Sequence, residues 1–305
     1  IIVREGVRFA SSVRSVTGVD DWCAVHSRCN PFGTPYFNGM MMRLEQTFKA
    51  SFYGYCNGDL LFHSSLLGAL RVVRDKIRAN ELRTHVGSSK LSHSQTFLVG
   101  RRTNIFQPFP VMSPNDRATN DALIERDGAK GELFQSDAED YFLFTKGTLP
   151  WDQLVNTVIG RPGYDNYLVT KMFKMNKEVS FLDITNAVLV AHQTDASGTK
   201  AGHRPSPDHD WNMKLIKREW QKGRTEYSWW IVEQYPRDTF VIQERYAAVD
   251  IPWDDRYSQQ EWKYIQPHIP PNATCLEFGR AAAHGYWKSV CKELTVVFHD
   301  RRLHM

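Results

Sequence analysis

Five short segments of this chain put acids, arginines or a histidine where apolar runs end. The first is Tyr55-Cys56-Asn57-Gly58-Asp59-Leu60. An acid just after a glycine at a strand's end stands where ligands bind in open α/β sheets. A carboxylate there can hold a divalent cation that clamps a diphosphate. An Asn-Gly-Asp turn capping the next helix is an equal alternative. The second is Gly100-Arg101-Arg102, after the run Phe97-Leu98-Val99. Guanidinium groups recognise phosphate through paired donors. For Arg71, Arg74 and Arg78 a solvated helix face is the better reading. In the third, Ser136 to Phe142, Asp140 directly precedes an apolar run and is kept as a candidate, while Asp137 and Glu139 read as solvated loop charge. The fourth, Ile159 to Leu168, uses a Gly/Pro-fixed turn to deliver Asp165 and Asn166 to the start of a helix. Asp165 is there either a general base toward a hydroxyl or an ordinary N-cap. A cap accounts for neither Arg161 nor Tyr164. In the fifth, His192 closes the run Val188-Leu189-Val190-Ala191, with Gly202-His203 ten residues on. His192 can ligate the same cation or touch a phosphate. A satisfied structural histidine is the commoner case.

Elements of alternating period must position these groups. Phe37, Met41, Leu44 and Phe48 repeat at helical spacing, as do Leu66, Leu70, Val73 and Ile77. Tyr53 to Phe62 reads as one short strand, Gln95 to Gly100 as a second, Tyr141 to Phe144 as a third and Asn186 to His192 as a fourth. These strands, separated by helices or long loops, are expected in one central mixed sheet of an α/β fold. Residues 103 to about 138 read as a long connection with one short helix. From Asp116 to Asp140 they hold eight acids against three bases. A helix spans Asp165 to Met175, and Asp208 is a good N-cap for another carrying Trp211, Leu215, Ile216 and Trp220. Beyond Tyr227 five tryptophans lie among short strand-like runs and prolines, Phe240 to Ile242 and Thr295 to Phe298 being the clearest. The expected organisation is therefore a domain over 1–225 and a Trp-rich C-terminal extension or small module over 226–305.

Composition narrows the class. The 305 residues are 42% apolar and 24% charged, which excludes a disordered chain, a coiled coil and a collagen-like fibre. The longest apolar runs are far too short to span a bilayer, so no transmembrane segment is expected. The chain opens on Ile1 without Met, which reads as a piece of a longer protein. A net charge of +4 is too weak to argue for nucleic acid. The stretch 71 to 105, with eight bases and two acids, is the only feature favouring it. Cysteines stand at 23, 29, 56, 275 and 291, an odd number with no Cys-x-x-Cys. Buried free thiols are expected rather than a zinc site or a disulfide framework, Cys23 with Cys29 being the pairing an oxidising compartment would allow.

In order, the five segments resemble the GT-A type of nucleotide-sugar glycosyltransferase. Asn57-Gly58-Asp59 is similar to its Asp-x-Asp element, with Asn57 in place of the first acid. Gly100-Arg101-Arg102, Asp140 to Phe144, Gly160 to Asn166 and His192-Gln193 follow in the family's order. The likeness covers roughly residues 30 to 205. It is nearest to uncharacterised glycosyltransferase-like proteins, with a distant likeness to glycosyltransferases associated with modified DNA bases. The resemblance implies a Rossmann-type mixed sheet flanked by helices and transfer of a hexosyl unit from a nucleotide diphosphate sugar. The acceptor would be a hydroxyl on a glycan, a protein or a nucleic-acid base, and inversion is the economical stereochemistry. Asp165, with Asp140 next, would be catalytic. Asn57, Asp59, Arg101, Arg102 and Arg161 would face the donor, and Tyr164 and Asn166 the acceptor. Asp59 and His192 would hold a divalent cation, Mn or Mg. The rival reading is a module of the same fold that binds a nucleotide sugar or a protein without catalysis. In the tail, Ala273 to Gly279 resembles the first strand and glycine turn of methyltransferases that use S-adenosylmethionine. Ala281 stands where a second Gly is needed, so that segment is read as a structural strand.

Overall fold

The computed structural model describes residues 2–3, 29–84, 95–107, 116–175, 178–194, 205–236, 239–245, 274–278 and 293–297. In chain order, β1 (Ile2–Val3) is followed by α1 (Phe37–Thr47), β2 (Phe52–Cys56), β3 (Leu60–Phe62) and α2 (Ser65–Arg78). Next come β4 (Thr96–Val99), β5 (Thr103–Ile105), α3 (Arg117–Gly128), β6 (Glu132–Leu133) and β7 (Tyr141–Phe144). Then α4 (Tyr164–Lys174), β8 (Ser180–Asp183), β9 (Val190–Gln193), α5 (Trp211–Ile216), β10 (Trp230–Tyr235) and β11 (Thr239–Glu244) complete the first part. The chain divides into two compact units, Ile1–Tyr246 and Ala247–Met305. In the second, β12 (Thr274–Phe278) and β13 (Glu293–Val297) pair in parallel.

The fold is mixed α/β, with mixed sheets flanked by helices. The expected single sheet is corrected to two. Seven strands run in the order β1-β2-β7-β4-β8-β10-β11, and four in the order β3-β9-β5-β6. β4, β8 and β10 are mutually parallel neighbours, and the remaining contacts of the larger sheet are antiparallel. The run Tyr53 to Phe62 thus breaks at Asn57-Gly58-Asp59: β2 joins the larger sheet and β3 the smaller. The strands at Gly100 and Phe144 lie in the larger sheet, those at Phe62 and His192 in the smaller. The long connection holds β5, the 12-residue α3 and β6. Trp230 and the segment Phe240–Ile242, expected in the extension, lie on β10 and β11 of the larger sheet. Trp253, Trp262 and Trp287 lie outside the described residues.

Period-two alternation explains the layering. Phe97, Val99, Phe142, Phe144 and Phe181 point to one face, where α1 and α4 supply Phe37, Met41, Tyr167 and Leu168. Leu98, Tyr141, Leu143 and Leu182 point to the other, where α2 supplies Leu66, Ala69, Leu70 and Val73. Cys29 is disulfide-bonded, correcting the free-thiol expectation for that residue, and Cys56 is free. Spacing along a chain does not say which thiols meet in space. Among the described residues no helix is long and apolar enough to cross a membrane.

Candidate active site

The chain passes between the two sheets at residues 57–59, 100–102 and 134–140, leaving a strand of one sheet and entering a strand of the other each time. These crossings carry three of the five segments, while Asp165 lies on α4 and His192 on β9. Asp140, immediately before β7, is their meeting point. Its Oδ1 accepts from Asn57 Nδ2 at 2.7 Å, and its Oδ2 accepts from an Arg102 terminal nitrogen. The Asn57 backbone N–H also donates to the Asp140 carbonyl at 3.0 Å. Arg102 is buried, with Nε on Asn104 Oδ1 at 3.0 Å and its guanidinium 4.3 Å from the Phe134 ring centroid.

From this point polar contacts extend both ways. On one side Tyr55 Oη donates to Asn57 Oδ1 at 2.8 Å, and the Tyr164 ring meets that of Tyr55 edge to face with centroids 6.1 Å apart. Tyr55, Asn57 and Asp140 thus form a directed chain ending on a carboxylate. On the other side Asn104 Oδ1 accepts from Thr194 Oγ1 at 3.5 Å, and Thr194 Oγ1 lies 2.5 Å from His192 Nδ1. The Nε2 of buried His192 is 3.0 Å from Oδ2 of Asp59, which is 60% exposed in its side chain. The order of sheet two makes this possible: His192 stands opposite both Leu60 and Asn104.

Asp165 lies in the first turn of α4 and is not its N-cap. That place belongs to Gly163, at φ +86°, a backbone conformation that residues with a Cβ avoid. Asp165 Oδ1 accepts the Asn166 backbone N–H at 2.9 Å. Burial first, and then the charge of Asp140, lift its carboxyl from 3.8 to about 7, although the Asn166 bond works against the rise. Its side chain is recessed among protein atoms yet keeps some contact with solvent. Asp140 itself is raised by burial, with the nearby charges of Arg102 and His192 opposing and that of Asp59 adding. Tyr55 is pushed up to about 12, chiefly by burial, so both tyrosines stay protonated at neutral pH.

No family model matches this chain, and no curated protein or solved structure matches it.

The remaining candidates lie in other contacts. Arg101 gives its backbone N–H to Thr185 Oγ1 at 3.0 Å and its Nε to the Phe134 carbonyl at 2.6 Å. Arg161 is paired through Nε with Asp208 Oδ1 at 2.5 Å. Burial alone would raise Asp208, but hydrogen bonds from Thr34, Arg161, Asn30 and Ser206 hold its carboxyl well below the ordinary range. Asp208 therefore ties three segments together, around residues 30–34, 161 and 206–208, and does not cap α5, whose N-cap is Asp210. Asn166 turns inward: Nδ2 donates to the carbonyls of Asp137 at 2.7 Å and Gly223 at 3.0 Å, and lies 3.4 Å from Glu139 Oε2. Glu139, expected in solvent, is completely buried, and among the described residues one of its oxygens has no partner. Its pKa is raised well above 4.5 by burial and by Asp165, Asp137 and Glu226. Asp137 is 40% exposed in its side chain and faces Arg224 at 3.3 Å.

Sequence reading missed Tyr55, Asn104, Thr194 and Glu139. Tyr55 stands two residues before Asn57, and that spacing puts both on one face of an extended segment. Nothing in the sequence distinguishes buried Glu139 from the loop acids around it.

Among the described residues no group of three or more His, Cys, Asp or Glu is gathered as a metal cluster. Two ligands suffice where phosphate oxygens and water supply the others, as magnesium sites commonly arrange. Ligands at about 2.1 Å in an octahedron stand about 3.0 Å apart along an edge. The Asp59–His192 separation of 3.0 Å fits that edge. With a cation bound, Nδ1–H would donate to Thr194 Oγ1 and Nε2 would turn its lone pair to the ion in place of its hydrogen bond to Asp59, which is how outer groups orient a ligating imidazole.

Proposed function

We propose that this protein is a nucleotide-sugar glycosyltransferase of the GT-A type, transferring a hexosyl unit to a hydroxyl acceptor. The observation that carries the reading is convergence. Asn57, Asp59, Arg102, Asp140 and His192, distant in the chain, are joined through hydrogen bonds, and Asp165 is coupled to the same group through Asp140. In the reaction, Asp165 takes the proton of the acceptor hydroxyl. The freed oxygen lone pair forms a bond to the anomeric carbon as the carbon–oxygen bond to the diphosphate breaks. That leaving oxygen keeps the bonding electrons, and the anomeric centre inverts. Asp59 and His192 would hold a divalent cation, which supplies charge neutralisation for the diphosphate. Arg102 and Asn57 hold Asp140 in place, and burial, with the charge of Asp140 adding to it, keeps Asp165 basic enough to work near neutral pH.

The test is a donor titration and a nucleotide-sugar hydrolysis assay, each with and without manganese, on the wild type and Asp59→Asn. Manganese-dependent binding that disappears in the variant is expected. Equal donor affinity in both proteins with manganese present overturns the cation role. A second reading, a donor-binding module without catalysis, is favoured by the amide at Asn57 and by the mutual saturation of Asp140, Asn57 and Arg102. Donor binding without hydrolysis or transfer is its signature.

A further inference from the structure

The surface around α5 carries a feature that glycosyl transfer does not use. α5 buries Asn212 and Ile216. The Asn212 side chain accepts the Val158 N–H at 2.7 Å and donates to the Val158 and Arg161 carbonyls at 2.9 and 3.0 Å. The helix is thereby fixed in one rotation about its axis. Residues three and four apart share a helix face, so Trp211, Lys214 and Leu215 lie together on a side that this anchor leaves outward. An outward face is ordinarily polar, yet Leu215 is 39% exposed. Phe32, whose ring meets Trp211 edge-on with centroids 6.5 Å apart, is 54% exposed. Trp220, just beyond the helix, is 40% exposed. Bases stand among these apolar side chains. From Trp211 to Arg224 there are five bases and one acid. The acid, Glu219, is already held by Lys171 at 2.7 Å and Lys174 at 3.2 Å. Arg224 is paired with Asp137, and the Lys222 ammonium lies 4.8 Å from the Tyr227 ring centroid. Lys214, Lys217 and Arg218 are exposed and make no ion pair among the described residues. Lys217 stands at φ +52°, ψ −109°, a backbone that glycine takes without strain. The Glu219 N–H donates to the Ile216 carbonyl at 2.8 Å across that turn. The strained turn thus sets two adjacent unpaired bases between Leu215 and Trp220.

We infer that this face attaches the protein to the surface of a bilayer containing anionic lipid. The three unpaired bases complement the negative headgroups. Phe32, Leu215 and Trp220 reach into the boundary between headgroups and acyl chains, where Trp, Phe and Leu beside Lys and Arg are the usual anchors. A fluid acyl layer moulds itself to such isolated side chains without a groove to receive it. Single-stranded nucleic acid fits the face less well. Its bases stack on open aromatic rings, but Leu215 has none, and Trp211 is already stacked on Tyr36 with Phe32 at its edge. Attachment needs nothing from the residues around Asp140.

Co-sedimentation of the full chain with vesicles tests this, using phosphatidylcholine alone and phosphatidylcholine mixed with phosphatidylserine. The wild type is expected to bind the mixed vesicles and to leave the neutral ones largely in solution. One base near an anionic surface strengthens attachment about fivefold, so Lys217→Gly with Arg218→Gln should weaken it about 25-fold. Both side chains are exposed and glycine relieves the backbone at 217, so the far-ultraviolet circular dichroism spectrum should not change. Leu215→Ser with Trp220→Ser should also weaken binding, although no charge is lost. Arg71→Gln with Lys130→Gln removes the same charge from exposed positions on α2 and just after α3, and should bind as the wild type does. A wild type that ignores the mixed vesicles overturns the proposal, as does undiminished binding by either patch variant or an equal loss in the Arg71 and Lys130 variant. Tighter binding to a single-stranded oligonucleotide than to the mixed vesicles overturns it too.

Discussion

A carboxylate in the first turn of a helix ordinarily titrates low, since free N–H groups and the helix dipole favour its charge. Asp165 goes the other way because protein surrounds it and Asp140 faces it. As a base it must be deprotonated, so activity should rise with pH through about 7. Asp165→Asn should lower transfer by roughly 10²–10⁴-fold while donor binding survives. Retention of full transfer would remove Asp165 from the mechanism and leave Asp140 as the next candidate. Stability carries an opposite signature. The folded protein holds this proton between 3.8 and about 7 while the unfolded chain releases it, so wild-type stability declines as pH rises through that window. The variant escapes the decline. Its melting temperature relative to wild type should therefore increase from pH 5 to pH 8. Glu139 has the same sign, being raised well above 4.5. Glu139→Gln should gain relative stability as pH rises above that ordinary value. A melting temperature for Glu139→Gln that tracks wild type across the pH range would place its carboxyl in contact with water.

At the scale of elements, α4 is set by what holds its first turn. Asn166 is clamped by the carbonyls of Asp137 and Gly223. A Cβ on Gly223 would lie 2.3 Å from the Asn166 Cα and carbonyl oxygen, where backbone cannot give way cheaply. Gly223→Ala should thus destabilise the fold by about 1–3 kcal/mol, the usual range for overpacking. It should also lower activity, by displacing the turn that carries Asp165. Unchanged stability in a denaturant titration would show that the 223 segment moves freely away from α4. The ion pair of Arg161 with Asp208 is a second such tie. Asp208 is depressed, so its contribution is present at neutral pH and fades as pH falls below 3.8. Asp208→Asn should cost about 3 kcal/mol at pH 7, because it leaves Arg161 unmatched. The difference from wild type should narrow in acid, and a constant difference down to pH 3 would contradict that origin.

At the scale of the whole molecule, the first compact unit contains both cores and the whole polar group around Asp140. Residues 1–246 expressed alone should unfold cooperatively, and a broad, non-cooperative melt would contradict that. How far the sequence reaches is uneven. Helical spacing over Phe37–Phe48 and Leu66–Ile77 marked α1 and α2, because burying one face of a helix forces a 3.6-residue period. Apolar runs marked β4 and β7, since strands buried on both faces are built mostly of apolar side chains. The same local reasoning placed Asn57, Arg102, Asp140 and His192 at strand ends. It could not divide the strands into two sheets, because pairing partners are chosen by contacts between distant segments. β2 and β3 are only three residues apart and join different sheets. Burial of Glu139 and the raised carboxyl of Asp165 were likewise invisible, since both depend on what packs around a group rather than on its neighbours in the chain. The residue types able to do chemistry were thus a property of the sequence. Their meeting at the crossing between two sheets was decided by tertiary structure, since only folding removes water from the carboxylates and sets the charge of one beside another.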